Sequence, residues 1–292
     1  MQKQRLKQLR KIGLSCILAG VLLGCTPKEP NAEIVVKLSD ADILLELFEP
    51  DAFTPDVMAI IENSKQSDSL VFDCLKQQLD SAAFEQFIHK KGYELRDCET
   101  ENQIREYIYQ LLRQSIDALQ YRFGYAGIGN AEYTPTSNTT VQFSLYFLNA
   151  ADSTLAKKLV ETKGHFQMWE NAKESKKRNR ALFDNLLGRE RFDYQNISVK
   201  KDGAQWLVWV TLNAAEAKDW AKITAANVGQ RLLFTMDGIE ICSPNVTAPI
   251  ENGQFSMPFE SQQKAEEFAI LLKGGCLRAK CYLKSMKWTK LN

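Results

Sequence analysis

Apolar residues fall into distinct rhythms along this chain. Residues 33–39 carry Ile34, Val35, Val36 and Leu38, a short run that predicts a strand. From residue 42 the spacing turns helical. A short helix is expected over 42–48, and Pro55 opens another, since the first helical position leaves its N–H without a partner anyway. Over 67–91, Val71, Leu75, Leu79, Ala83 and Phe87 recur every fourth residue and Gly92 reads as the stop, which predicts one continuous helix. Residues 101–123 predict the longest helix, with Ile104, Ile108, Leu111, Ser115, Leu119 and Phe123 on its inner face. The rhythm then shortens. Residues 131–136 read as a strand, and over 140–148 Val141, Phe143, Leu145 and Phe147 alternate on one face. Asp152 is read as the cap of a helix to 162, with Leu155 and Leu159 inward and Gly164 as its stop; 165–170 form a further strand. This order predicts a ferredoxin-like split βαβ layer with a helical insertion.

The second half repeats the mixture. Residues 172–201 are polar and irregular, and 206–212 start a strand. Asn213 with Glu216 opens a helix to 228. Leu232, Leu233, Phe234 and Met236 make a strand that ends in Asp237-Gly238, a pair suited to a type I′ hairpin turn because both central residues need positive φ. Pro244 and Pro249 hold the next segment extended. Ser261 caps a last helix, in which Ala265, Phe268, Ala269 and Leu272 share a face and Gly274-Gly275 close the end. Residues 277–288 read as a strand returning to the first layer. The expected fold is α+β: a ferredoxin-like base with a helical insertion (33–171), a connector (172–205), a smaller βαββα head (206–276) and a terminal strand (277–292). Head and base are expected to move relative to each other about the polar connector.

The N-terminal end adds a destination. Its first eleven residues carry Lys3, Arg5, Lys7, Arg10 and Lys11 and no acid, and an apolar run follows over 12–23. That is a secretory signal, too short for a membrane span of about 20 residues. It ends in Leu22-Leu23-Gly24-Cys25, which resembles the bacterial lipoprotein box. The resemblance implies cleavage after Gly24 (signal 1–24), lipidation of Cys25 and a tether over 25–32 containing Pro27 and Pro30. The alternative is an ordinary signal peptide with an incidental cysteine. Loss of the signal takes the formal charge from +1 to −4, which points away from nucleic acid. The expected location is the bacterial envelope, lipid-anchored, with the folded part in the periplasm.

Asn227-Val228-Gly229, Arg231-Leu232, Asp237-Gly238, Pro244, Pro249-Ile250 and 269–272 stand together in an order that resembles the head of the first periplasmic domain of SecD, the membrane subunit that assists the bacterial Sec export channel. Lys264 departs from that family's pattern, which has an acid there. Leu119 with Arg122, Gly127-Ile128 and the F-Q-M-W-E run at 166–170 resemble its base. The resemblance implies a non-enzymatic module that handles unfolded or exported polypeptide, with Sec translocase components as further partners and no cofactor. The SecD proton-coupled role runs through charged transmembrane helices, and this sequence shows no second apolar run of spanning length. A scaffold lipoprotein that binds a folded envelope partner is the competing reading.

Other candidate chemistry is thin. His89 and His165 lack metal-ligand spacing. Gly124, Gly127 and Gly129 follow a helix, not the strand a dinucleotide fingerprint needs. The basic cluster Lys173, Lys176, Lys177, Arg178 and Arg180 reads as a solvated linker or a headgroup contact. Cys74 could meet Cys98, and Cys242 could meet Cys276 or Cys281, or all five could be free thiols. Phe234, Phe255, Met257 and Phe259 are the candidates for an apolar polypeptide site, with a core role as the alternative for alternating strand residues.

Overall fold

The computed structural model describes residues 29–65, 67–129, 132–170, 181–184 and 194–289. The signal, Cys25, most of the tether and the basic cluster at 173–180 lie outside the described residues. Among the described residues the fold is α+β, with three antiparallel sheets and eight α-helices.

The first sheet is the base. Strand β1 (Ala32–Ser39) is followed by helices α1 (Ala41–Leu47), α2 (Pro55–Ser64), α3 (Val71–Gln78), α4 (Ser81–His89) and α5 (Glu101–Tyr125), then by β2 (Glu132–Ser137), β3 (Thr140–Leu145) and helix α6 (Ala150–Glu161). The sheet is completed by β11 (Lys280–Trp288), in the order β11-β1-β3-β2, all antiparallel. This is the ferredoxin-like order, with its last strand delivered from the far end of the sequence. Ile34, Val36 and Leu38 of β1 and Val141, Phe143 and Leu145 of β3 turn to the helical side and are buried. The Phe123 ring of α5 meets Phe143 edge-on at 5.2 Å.

Two local expectations are corrected. The predicted helix over 67–91 is two helices, because Leu79 is extended and Asp80 caps a new start by accepting from the Ala83 amide. The periodic stripe continues across the break, so periodicity alone did not reveal it. Asp152 does not cap α6. Asn149 does, and Asp152 is its reciprocal partner three residues on, in a capping box.

The described residues between α6 and β11 form an insertion into the base, and we call it the head. Strand β4 (Phe166–Glu170) pairs with β8 (Leu232–Met236) in a sheet ordered β5-β4-β8-β9, where β5 is Ala181–Asp184 and β9 is Ile239–Cys242. Its apolar positions Phe166 and Met168 bury in the head, and no base strand pairs with it. The second head sheet is β10-β7-β6, from β6 (Tyr194–Asp202), β7 (Gln205–Leu212) and β10 (Gln254–Phe259). Helix α7 (Ala214–Ala226) starts on Asn213, whose side chain accepts from the Ala215 and Glu216 amides. Helix α8 (Gln262–Gly274) starts on Ser261 and stops at Gly275, φ 86°. The β8–β9 turn has Asp237 at φ 52° and Gly238 at φ 76°, the conformation its D-G pair predicts. Helix α8 lies between the head sheet, against β6 and β7, and the base helix α5.

Candidate functional site

Among the described residues the chain passes between base and head twice, at residues 162–165 and 275–279, and the two passages lie side by side. The Leu277 amide donates to the Lys163 carbonyl at 2.8 Å. The described parts of the segment expected to connect the two units, β5 and β6, pair within the head sheets, with β4 and β7.

Arg122, from the inner face of α5, fills the space under both passages and is fully buried. Its guanidinium donates to the carbonyls of Leu159 (2.7 Å), Thr162 (2.6 Å), Lys163 (2.8 Å) and Gly275 (2.6 Å). The first two carbonyls end α6 and the last follows α8, so one cation faces the negative ends of two helix dipoles. Gly164 and Gly274 make room for it, because a Cβ at either would collide with the arginine side chain. Burial pushes the Arg122 pKa down to about 10. Four carbonyl acceptors favour the charged form, and it stays protonated at neutral pH.

Other groups reinforce the junction. Glu46 of α1 pairs with Lys163 at 3.1 Å on one passage and Arg278 at 3.2 Å on the other. Ser115 Oγ accepts from the Ala279 amide at 2.8 Å. The Asp237 carboxylate, at the tip of the head hairpin, accepts from the Gly164 amide (3.1 Å) and the His165 amide (2.7 Å).

Above this junction runs a groove of about 610 Å³ between base and head. Leu155 of α6, Ala126 at the end of α5, Val199 of β6 and Ala269 and Ile270 of α8 give it an apolar floor; Asp152, Lys158, Glu267 and Lys273 stand at its rim. Lys158 and Glu267 pair across it, an exposed bridge of small net worth. From Gln263 to Lys273 the groove follows α8 for about 15 Å, the length of about five residues of extended chain.

The four residues proposed from sequence for polypeptide contact lie elsewhere. Phe234, Phe255 and Met257 are buried, and Phe259 is half-buried against Phe268. Phe234 stacks on Phe166 and Phe255, and Phe255 also meets Trp220 at 5.1 Å. This correction follows from strand alternation, because both head sheets turn these positions inward. Sequence reasoning missed the groove, whose lining comes from four separated elements. The five cysteines are free thiols, and burial pushes Cys242, Cys276 and Cys281 up to about 12. Among the described residues no three metal-ligating side chains converge, and no helix is long and apolar enough to cross a membrane.

Residues 168–279 match the SecDF, P1 head subdomain family. Among curated proteins, the protein translocase subunit SecD of Rhodothermus marinus is 33% identical over 73 residues, 25% of this chain and 12% of that protein. The SecD subunit of Acidaminococcus fermentans is 36% identical over 77 residues, 26% of this chain and 18% of that one. The matches thus span less than a fifth of those relatives' length. Among solved structures, SecDF, a membrane component that enhances protein export, aligns with TM-score 0.51 at 17% identity, over 62% of this chain and 94% of that one. SecDF in its super-membrane-facing form aligns with TM-score 0.52 at 15% identity, over 97% of this chain and 35% of that one. At these identities the structural likeness speaks for the fold.

Proposed function

We propose that this protein is a non-enzymatic envelope lipoprotein, anchored through Cys25, whose folded part handles extended or exported polypeptide in support of translocation. The observation that carries the reading is the match of residues 168–279 to the SecDF P1 head. The groove between α6 and α8 is the client surface. Its apolar floor takes side chains of any sequence, and its mixed rim favours no one charge. A client that must be released binds weakly, with Kd on the order of micromolar or weaker.

The test titrates the chain without its signal against a fluorescently labelled, unfolded secretory protein and follows anisotropy. Ile270→Asp, at a half-buried position in the floor, should abolish binding, and thermal stability measured beside it separates a lost site from an unfolded head. No binding at hundred-micromolar-order protein, or binding only to one folded partner, would replace this reading with the scaffold one.

A further inference from the structure

A fully buried arginine normally has a carboxylate partner, and the two terminal nitrogens of Arg122 have backbone carbonyls instead, while its buried Nε has no acceptor among the described residues. Three of those carbonyls are on the outgoing side of the junction and one is on the returning side. Arg122 thus touches the backbone of both passages. The two glycines beside it leave a slot that suits this planar side chain and admits nothing larger at either wall. Base and head meanwhile have separate sheets, each hydrogen-bonded within itself.

We propose that Arg122 is a latch: the positioning residue that fixes the angle between base and head. A guanidinium can serve four acceptors at once because its donors form a flat fork, whereas a lysine ammonium presents three donors from one point and cannot span both passages. Asp237 secures the head side of the same latch. Its two oxygens serve two adjacent amides, where an asparagine would offer one acceptor and one repelling N–H₂. The groove is walled by α6 on one side and α8 on the other, so the latched angle also sets its width. This inference goes beyond the client-binding reading, and its test contains no client.

Two readouts on the full chain in mild detergent check it. The first is hydrogen exchange, comparing amides at 162–165 and 275–279 with those of β1, β3, β7 and β8. The second is the distance distribution between spin labels on non-natural residues at Glu106 in the base and Lys222 in the head, both exposed. In Arg122→Lys, exchange at the passages should rise about tenfold or more, exchange in the four strands should stay at wild-type rates, and the distance distribution should broaden. If Arg122→Lys does not fold, Asp237→Asn carries the test, with faster exchange at 162–165 and a broadened distance expected. Exchange that rises equally in all strands, or an unchanged distance distribution, would reduce Arg122 to an ordinary core residue and overturn the latch.

Discussion

Replacing Lys37 by methionine should stabilise the protein at neutral pH. Lys37 lies on β1 and is 2% exposed, with its ammonium donating to the Leu38 carbonyl at 2.9 Å. Burial lowers its pKa from 10.5 to about 8, against the pull of Asp40 and Asp68; Lys284 pushes the same way as burial, and Cys74 weakly opposes it. At roughly 1.4 kcal/mol per unit, that shift is a penalty of about 3 kcal/mol on the folded state at pH 7. Methionine removes the penalty and loses one hydrogen bond worth about 1 kcal/mol, leaving a net gain of about 2 kcal/mol. For a chain of this size that is about 4–8 °C in Tm. The pH dependence follows from the direction of the shift. Below pH 8 folded and unfolded chains both hold the proton, and only the folded one bears the desolvation. Between pH 8 and 10.5 the folded chain releases it first, so this group's contribution to stability rises with pH, and above 10.5 the penalty is gone. The buried thiols work the other way above pH 9, since they resist ionising while folded. Both proteins carry those thiols, so the difference between wild type and Lys37→Met isolates the lysine. Urea unfolding at pH 7, 8, 9 and 10 should show an advantage for the variant that changes little from pH 7 to 8 and shrinks from pH 8 to 10. An advantage independent of pH, or a less stable variant at pH 7, would refute the reasoning.

Phe255→Ala should destabilise the protein by about 3–5 kcal/mol in urea unfolding, because it empties a site between Trp220 and Phe234; a loss under 1 kcal/mol would mean that the ring does not pack as described. Cys25→Ser should abolish incorporation of labelled fatty acid and free the chain from membranes or leave an uncleaved precursor, whereas unchanged labelling would place any acyl group elsewhere.

Much of this fold is legible from local chemistry. Asp237-Gly238 names its turn, Ser261 and Gly275 bound α8, and the inner stripe of α5 is written in Ile104, Ile108, Leu111 and Leu119. What local chemistry does not give is the choice of strand partner. The run at 166–170 alternates as well for a base sheet as for a head sheet, and only the distant apolar faces of β8 and α8 decide between them. The start of α3, at Val71 and not at residue 67, is hidden for a related reason. Asp40, far away in sequence, caps the start of α3 by accepting from the Val71 and Phe72 amides at 2.8 and 3.1 Å. Arg122 did leave a trace. It stands between Leu119 and Phe123, a charge on the apolar side of a long helix, and its reason lies in carbonyls up to 153 residues away. The groove left no such trace, since its lining becomes one surface only after head and base have met.

The late arrival of β11 bears on how the chain folds. Its partner β1 begins at Ala32 and pairs with Trp288, so the last ladder of the base joins the two ends of the described chain. Contacts of such long sequence separation are slow to form, because the intervening chain must lose its freedom before they are made. The head shortens that search. Once its own hairpins and helices are in place, residues 165 and 275 are neighbours, and the loop that β11 has to close shrinks by the length of the head. Head formation therefore precedes base completion on the fastest route, and until β11 docks, β1 presents an unpaired edge to whatever extended chain is near.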